Sequence, residues 1–191
     1  MHHDTTAIEP DALASLIRAR RTIHLYRPET PPVETILKAL DLARWAPNHK
    51  LTEPWRFYLL GSQTAEAIVE LNTEIVTAAK GPAAGAAKRA RWLEMPGWLV
   101  VTCVRSTNPL RAKEDYAATC CAIQNAMLYL WNEGIGMKWA SGDVIRDARF
   151  CEMLDIDPEA EEVVGLFWYG YPAESPETKR KPLEDVLQWR P

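Results

Sequence analysis

The sequence predicts an α+β fold: one domain with about four strands and more helix than sheet. Three observations carry this. Short β-branched or aromatic runs at residues 55–60, 99–104 and 163–169 are separated by long stretches with helical spacing of apolar residues. A chain of 191 residues with 47% hydrophobic content can bury a sizeable core. No internal repeat, low-complexity tract or linker-like segment divides residues 1–191 into separate units.

The elements follow in chain order. A first helix is expected over 11–21, where Leu13, Leu16 and Ile17 share a face and Arg18, Arg20 and Arg21 complement the negative end of the helix dipole. Thr30 is a candidate N-cap for a second helix with Pro31 at its first position, a buried stripe of Val33, Ile36, Leu37 and Leu40, and an end before Pro47. After a proline- and tryptophan-rich loop, residues 55–60 form a strand stopped by Gly61, and 63–80 a helix stopped by Gly81-Pro82. Residues 83–94, rich in Ala and Arg, continue as helix.

The near-continuous run at 99–104 reads as an interior strand covered on both faces, ended by the turn-like Ser106-Thr107-Asn108-Pro109. Residues 112–133 make the longest helix, apolar nearly all round through Ala117, Ala118, Cys121, Ile123, Ala126, Met127, Leu130 and Trp131, and expected to run through the core until Gly134 and Gly136 close it. A short strand at 137–139, a Ser141-Gly142 turn, a helix over 144–153 and a strand at 163–169 complete the order. The polar tail from 173 ends in Leu183, Val186, Leu187 and Trp189, which must bury against something or stay unordered; a partner subunit is one such surface.

A net charge of −4 and a pI near 5.6 argue against nucleic-acid or membrane-surface binding, both of which favour a basic face. The longest apolar run, 98–104, is too short to cross a bilayer, and the first residues lack a signal-peptide core, so a soluble cytoplasmic protein is expected. Four cysteines, Cys103, Cys120, Cys121 and Cys151, show neither C-x-x-C nor zinc spacing and read as buried reduced thiols; no metal site is expected. Eight tryptophans are mostly packing residues: Trp131 lies on the long helix, Trp168 on a strand and Trp189 in the tail.

Three basic positions are candidates for ligand chemistry: Arg20-Arg21-Thr22, His49-Lys50 and Lys179-Arg180-Lys181. Each also has an ordinary reading, as dipole-complementing or solvated surface charge. Their arrangement is more specific. In one order across the chain stand Arg20-Arg21-Thr22-Ile23-His24-Leu25-Tyr26, then Ala46-Pro47-Asn48-His49-Lys50-Leu51-Thr52-Glu53-Pro54-Trp55, then Asn132-Glu133-Gly134-Ile135-Gly136-Met137-Lys138-Trp139-Ala140-Ser141-Gly142, then a Gly-Tyr-Pro tail carrying Lys179-Arg180-Lys181. This pattern resembles the nitroreductase family of flavin mononucleotide (FMN) enzymes, and within it the small subgroup with Pro-Asp-His-Lys before Pro-Trp-Arg-Phe.

The resemblance implies a mainly antiparallel sheet of about four to five strands flanked by helices in an intertwined homodimer. It also assigns the site. A phosphate of nearly two negative charges needs cations in fixed geometry, and Arg20 with Arg180 is the best pair. Arg21 and Thr22 would contact the ribityl or ring portion, with threonine in place of the usual serine. His24 stands where Arg or Lys is common, which makes that contact pH-dependent. Trp139, Ala140, Ser141 and Gly142 would lie at the flavin N5 side, although a Ser-Gly pair before a helix also serves simply as turn and cap. Trp45, Asn48 and His49 would cover the flavin of the other subunit. Glu53 departs from the usual Gln, and a salt bridge with Arg56 or Lys50 is an alternative to any flavin contact; Pro54-Trp55 is structural.

The implied reaction runs in two halves: NADH or NADPH gives hydride to the flavin, and a nitroarene, quinone or activated alkene takes it up. The cofactor carries the electron chemistry, so no catalytic side chain is named. No G-x-G-x-x-G follows a strand, consistent with a nicotinamide that only stacks on the flavin. The short connections leave no room for a long lid, which implies an open site and a broad acceptor range. Two other readings use the same residues: a flavin-binding carrier or sensor without turnover, and a phosphate-ligand protein that binds no flavin.

Overall fold

The computed structural model describes residues 8–190; His2 and His3, to which the sequence assigns no role, lie outside them. Four strands, β1 (Trp55–Leu59), β2 (Gly97–Val104), β3 (Gly136–Ala140) and β4 (Glu161–Gly170), form an antiparallel sheet in the order β1-β2-β4-β3. The two interior strands are the two longest apolar runs. All of β2 except Val104 is buried, as its unbroken hydrophobicity requires.

Successive residues of β2 serve opposite cores because side chains alternate across a strand. Leu99, Val101 and Cys103 pack with Ile36 of α2 (Val33–Ala43) and with Ile123 and Leu130 of α5 (Pro109–Asn132). Trp98 and Val100 pack on the other face with Ile68 and Val69 of α3 (Ser62–Lys80), Trp92 of α4 (Pro82–Leu93) and Phe150 of α6 (Ala148–Met153). Trp92, Trp98 and Trp168 meet edge to face with ring centroids 4.9 to 5.7 Å apart, so these indoles are core packing. Among the described residues no helix is long and apolar enough to cross a membrane.

Several element ends differ from the sequence expectation, each for a local reason. Helix α1 (Pro10–Ala19) stops before Arg20, whose ψ of 132° has left the helix, so Arg20 and Arg21 open an extended segment instead of closing a helix. No residue of α1 is buried, and Leu13 and Ile17 face outward. Helix α2 starts at Val33 with Pro32 at its N-cap; Pro32 has no amide for a Thr30 cap to serve, and the Thr30 hydroxyl donates to the Pro96 carbonyl instead, at 3.4 Å. Of the expected stripe, Ile36 is buried but Val33 and Leu37 are exposed.

Asn108 caps α5, its side-chain oxygen accepting from the Leu110 and Arg111 amides at 3.0 and 3.1 Å with Pro109 at the first position, so the helix begins earlier than its apolar pattern suggests. It buries one face, not all of them: Ala117 and Cys121 lie on its outer side. The expectation of four buried thiols is therefore corrected. All four are free, but only Cys103 is buried, with Cys120 and Cys151 half-buried and Cys121 exposed.

Gly134, at φ 76°, closes α5 in a conformation that favours glycine. Gly136 does not close the helix but belongs to β3, where a Cβ would stand 2.3 Å from Ile23 Cγ1. Its missing side chain lets residues 22 and 23 lie against the strand. The expected helix over 144–153 is divided into a turn, Asp143–Arg146, and α6, because the Asp147 carboxylate accepts from the Arg149 amide at 3.0 Å and starts a new helix.

The segment after α1 positions the site. Thr22 pairs in parallel with Met137, and the Ile23 amide donates to the Met137 carbonyl at 3.2 Å. Tyr26 pairs with Pro172, the Arg27 amide donates to Tyr171 at 2.8 Å, and the Ala173 amide donates to Leu25 at 3.0 Å. Residues near 22 and residues near 172 are thereby fastened along the same edge of the sheet.

Candidate functional site

Arg20, Arg21, Thr22 and His24 of that segment meet Pro176, Thr178 and Arg180 of the tail around a cleft of about 240 Å³. Arg20 and Arg180, far apart in sequence, stand close enough to repel. Burial first, then the charges of Arg180 and Arg21, push the Arg20 pKa down. Among the described residues no carboxylate lies within ion-pair distance of Arg20 or Arg180; Glu177 lines the cleft without pairing to either. Unneutralised guanidinium groups converging on one opening fit a phosphate such as that of FMN.

Arg21 lines the cleft and also donates to the protein's own backbone. Its Nε donates to the Pro176 carbonyl at 3.1 Å and its Nη1 to the Arg20 carbonyl at 3.0 Å and to the Arg18 carbonyl, so its guanidinium fastens the tail to the end of α1. Thr22 lines the cleft. In the tail, Arg180 Nη1 donates to Thr178 Oγ1 at 2.9 Å, which steadies the cation.

His24 also lines a narrow second pocket of about 40 Å³ with Arg91, Lys138 and Trp168. Lys138 in turn lines a third, about 410 Å³, with Trp139, Ala140, Ser141 and Gly142. The two motif groups are thus joined along one edge. Strand alternation sends the Trp139 indole to the opposite face from Lys138: its Nε1 donates to the Val164 carbonyl at 3.1 Å, and its ring lies 5.2 Å from that of Phe167. Gly165 makes room for it, since a Cβ there would stand 2.3 Å from Trp139 Nε1.

Burial, then Lys138 and Arg91, hold the His24 imidazole below its usual pKa against the opposing pull of Glu174. The motif reading gives no role to Lys88, Arg91 or Lys138. Lys138 left a signal, as a lone cation inside an apolar strand; Lys88 and Arg91 read only as part of an Ala- and Arg-rich helix.

The loop between α2 and β1 lies apart from these three openings, as none of Trp45, Asn48 and His49 lines them. Trp45 is 80% exposed. The Asn48 amide group is engaged inside the loop: Oδ1 accepts from the Glu53 amide at 2.7 Å and Nδ2 donates to Thr52 Oγ1 at 3.0 Å. Thr52 donates at 2.5 Å to Asp115, a buried carboxylate on α5. Arg56 reaches the Glu53 main-chain carbonyl at 3.0 Å, and no ion pair forms between Glu53 and Arg56 or Lys50.

Lys50, Leu51 and Glu53 have φ of 64°, 50° and 45°, left-handed conformations that cost on the order of 1–3 kcal/mol each for residues with side chains. The link from Asn48 through Thr52 to Asp115 holds this strained turn and leaves His49 and Lys50 exposed. Thr52→Val keeps the shape but leaves the buried Asp115 without its donor, and is expected to destabilise the fold by about 1–3 kcal/mol. Urea unfolding checks this, and a loss below about 0.5 kcal/mol would contradict the assigned link.

A cleft of about 710 Å³ opens beside α6 and includes only Ser141 of the motif residues. Its arginines are already paired, Arg105 with Glu162 at 3.8 Å and Arg146 with Asp143 at 3.1 Å, so it lacks the uncompensated positive charge of the Arg20 cleft. Among the described residues no group of three His, Cys, Asp or Glu side chains is placed to hold a metal.

Residues 17–171 match the family described as the nitroreductase family. The Bacillus subtilis (strain 168) protein YfhC, which carries a provisional NAD(P)H nitroreductase name, is 34% identical over 179 residues covering 91% of each chain. A crystal structure of a nitroreductase-like family protein from Bacillus cereus is 30% identical, with a TM-score of 0.83 over 97% of this chain and 98% of that one. A nitroreductase-type structure from Desulfovibrio desulfuricans, in complex with FMN, shares the fold at a TM-score of 0.76 and 23% identity over 97% of this chain and 99% of that one.

Proposed function

The chain belongs to the nitroreductase family, and from that premise we propose that it is an FMN-dependent oxidoreductase that moves hydride from NADH or NADPH to a small acceptor, such as a nitroarene, a quinone or an activated alkene. The observation that carries this reading is the pairing of Arg20 and Arg180 in one uncompensated cleft, which neighbours the pocket at the Ser141-Gly142 turn through the shared lining residues His24 and Lys138. A cleft of that charge suits the phosphate end of the cofactor, and a turn that includes glycine allows close approach of a flat ring. When bound, FMN supplies the hydride chemistry. The protein's part is orientation and charge: Arg20 and Arg180 hold the phosphate, Thr22 adds a hydroxyl beside it, Arg21 keeps the tail in place, and Ala140, Ser141 and Gly142 border the ring. No side-chain acid or base is required.

The working unit in this reading is a homodimer of single-domain chains. Outward-facing Leu13 and Ile17 of α1, Val33 and Leu37 of α2, and Trp45 and Leu51 of the loop leave large apolar surface in water, which a second copy would cover. In the tail, Leu183, Val186 and Trp189 are also exposed and would pack on that partner. The loop then reaches the other subunit's cofactor, with His49 and Lys50 as its exposed polar side chains and Asn48 acting through the loop's shape. The net charge of −4 and the four free thiols fit a cytoplasmic enzyme that binds neither nucleic acid nor membrane.

Anaerobic titration of the FMN-loaded protein with NADH and NADPH tests the reading. Bleaching of the flavin absorption by one of them, and its return on adding a nitroarene or quinone, is the expected result. A loaded protein that neither nicotinamide bleaches would be a flavin carrier or sensor, and a protein that takes up no FMN would bind another phosphate ligand.

A further inference from the structure

One positive patch has no role in the reading so far. Between the Arg20 cleft and the pocket at residues 139–142, the side chains of His24, Lys88, Arg91 and Lys138 face a gap of about 40 Å³. Among the described residues none of these cations has a carboxylate within ion-pair distance. Glu174 acts on His24 from the tail. The Lys138 ammonium sits 5.0 Å from the centroid of the Trp168 ring, and that of Lys88 6.0 Å from Trp92, so indole faces rather than carboxylates hold them. Burial, then Arg91 and Lys88, hold Lys138 below its usual pKa. Negative charge brought into this gap would offset both the repulsion and the cost of burying these cations.

The position of the gap says which charge that is. His24 borders the Arg20 cleft and Lys138 borders the pocket at Ser141 and Gly142. A molecule with its phosphate in the first and its ring in the second passes the gap at the inner edge of the ring. Of the two ring edges beside the ribityl attachment of FMN, the hydrocarbon C9 edge and the N1 and C2-carbonyl edge, a cationic gap suits the second, where negative charge gathers when the flavin takes up two electrons. We infer that Lys138 on β3, backed by Arg91 on α4, is the cation at the N1 edge of the flavin and raises its reduction potential, in place of a basic residue at position 24. The inference rests on the FMN reading above. His24, held below its usual pKa, is largely neutral near neutral pH and leaves that role open.

A cation at this edge favours reduced over oxidised FMN. Lys138→Met keeps the length of the side chain and removes the charge, and the reduced cofactor is expected to lose about tenfold more affinity than the oxidised one. For a two-electron couple this lowers the midpoint potential by about 30 mV. Lys138→Arg is expected to restore most of it. The measurement is an anaerobic potential determination on the FMN-loaded wild type and variants, with oxidised FMN affinity from fluorescence titration alongside. Arg91→Met, at an exposed position, is expected to shift the potential the same way by a smaller amount, and it carries the test if Lys138→Met does not fold. Wild-type protein that holds FMN while these substitutions leave its potential unchanged overturns the Lys138 assignment alone. Wild-type protein that takes up no FMN overturns the cofactor reading, and this inference with it.

Discussion

Arg20→Ala is expected to weaken FMN binding by about 1.5–3 kcal/mol, the worth of a hydrogen bond to a charged group, or roughly 12- to 140-fold. The guanidinium stands beside Arg180 in a cleft with no carboxylate partner for either, and its pKa is lowered by burial and by its like-charged neighbours. The sign matters for the control. A group whose pKa is lowered in the folded state is held charged against a cost, so removing it should not destabilise the ligand-free protein. Thermal unfolding without FMN should be unchanged or slightly later, while the FMN affinity falls. Riboflavin, which lacks the phosphate, separates charge recognition from packing: wild type and variant should bind it equally. An equal loss for riboflavin and FMN would place Arg20 at the ring or in the fold, and an unchanged FMN affinity would remove it from the site.

The largest loss of stability is expected from Phe167→Ala, about 3–5 kcal/mol. Phe167 is fully buried in the interior strand β4 and belongs to the core formed with α2 and α5. Its ring lies 5.2 Å from that of Trp139, so the same cavity loosens the edge strand that leads to Ser141 and Gly142. Both stability and FMN affinity should therefore fall, the second even under conditions where the variant remains folded. Urea unfolding at a constant m-value measures the first effect. A loss under about 1 kcal/mol would mean that the surrounding side chains close the cavity, and that Phe167 does not hold the edge as argued.

The strands were legible because their chemistry is local. β2 and β4 announce themselves by apolar runs, and for β2 the run also gave the interior position; that β4 lies beside it in the interior is decided by sheet pairing. The helix ends were less legible. Whether Thr30 or Pro32 begins α2, or whether 144–153 is one helix or a turn and a helix, depends on single hydrogen bonds such as that from the Arg149 amide to Asp147. Arg149 also pairs with Glu74 of α3 at 2.9 Å, a contact that local propensity does not contain. The long helix α5 looked apolar all round because small residues such as Ala117 and Cys121 score as core whether they meet core or only a surface.

By itself the sequence determined the alternation of elements, the interior place of β2 and, through motif order, the family and the kind of cofactor, since these depend on residue type and spacing along the chain. The tertiary structure decided which charges meet. Pairing of Thr22 with Met137 and of Tyr26 with Pro172 brings Arg20 to Arg180 and puts His24 beside Lys138. It also turned Asn48 into the loop and fastened the loop to Asp115 through Thr52. Electrostatic convergence depends on distance in space. Between residues more than a hundred positions apart, that distance is set by sheet pairing and core packing, which no local pattern encodes.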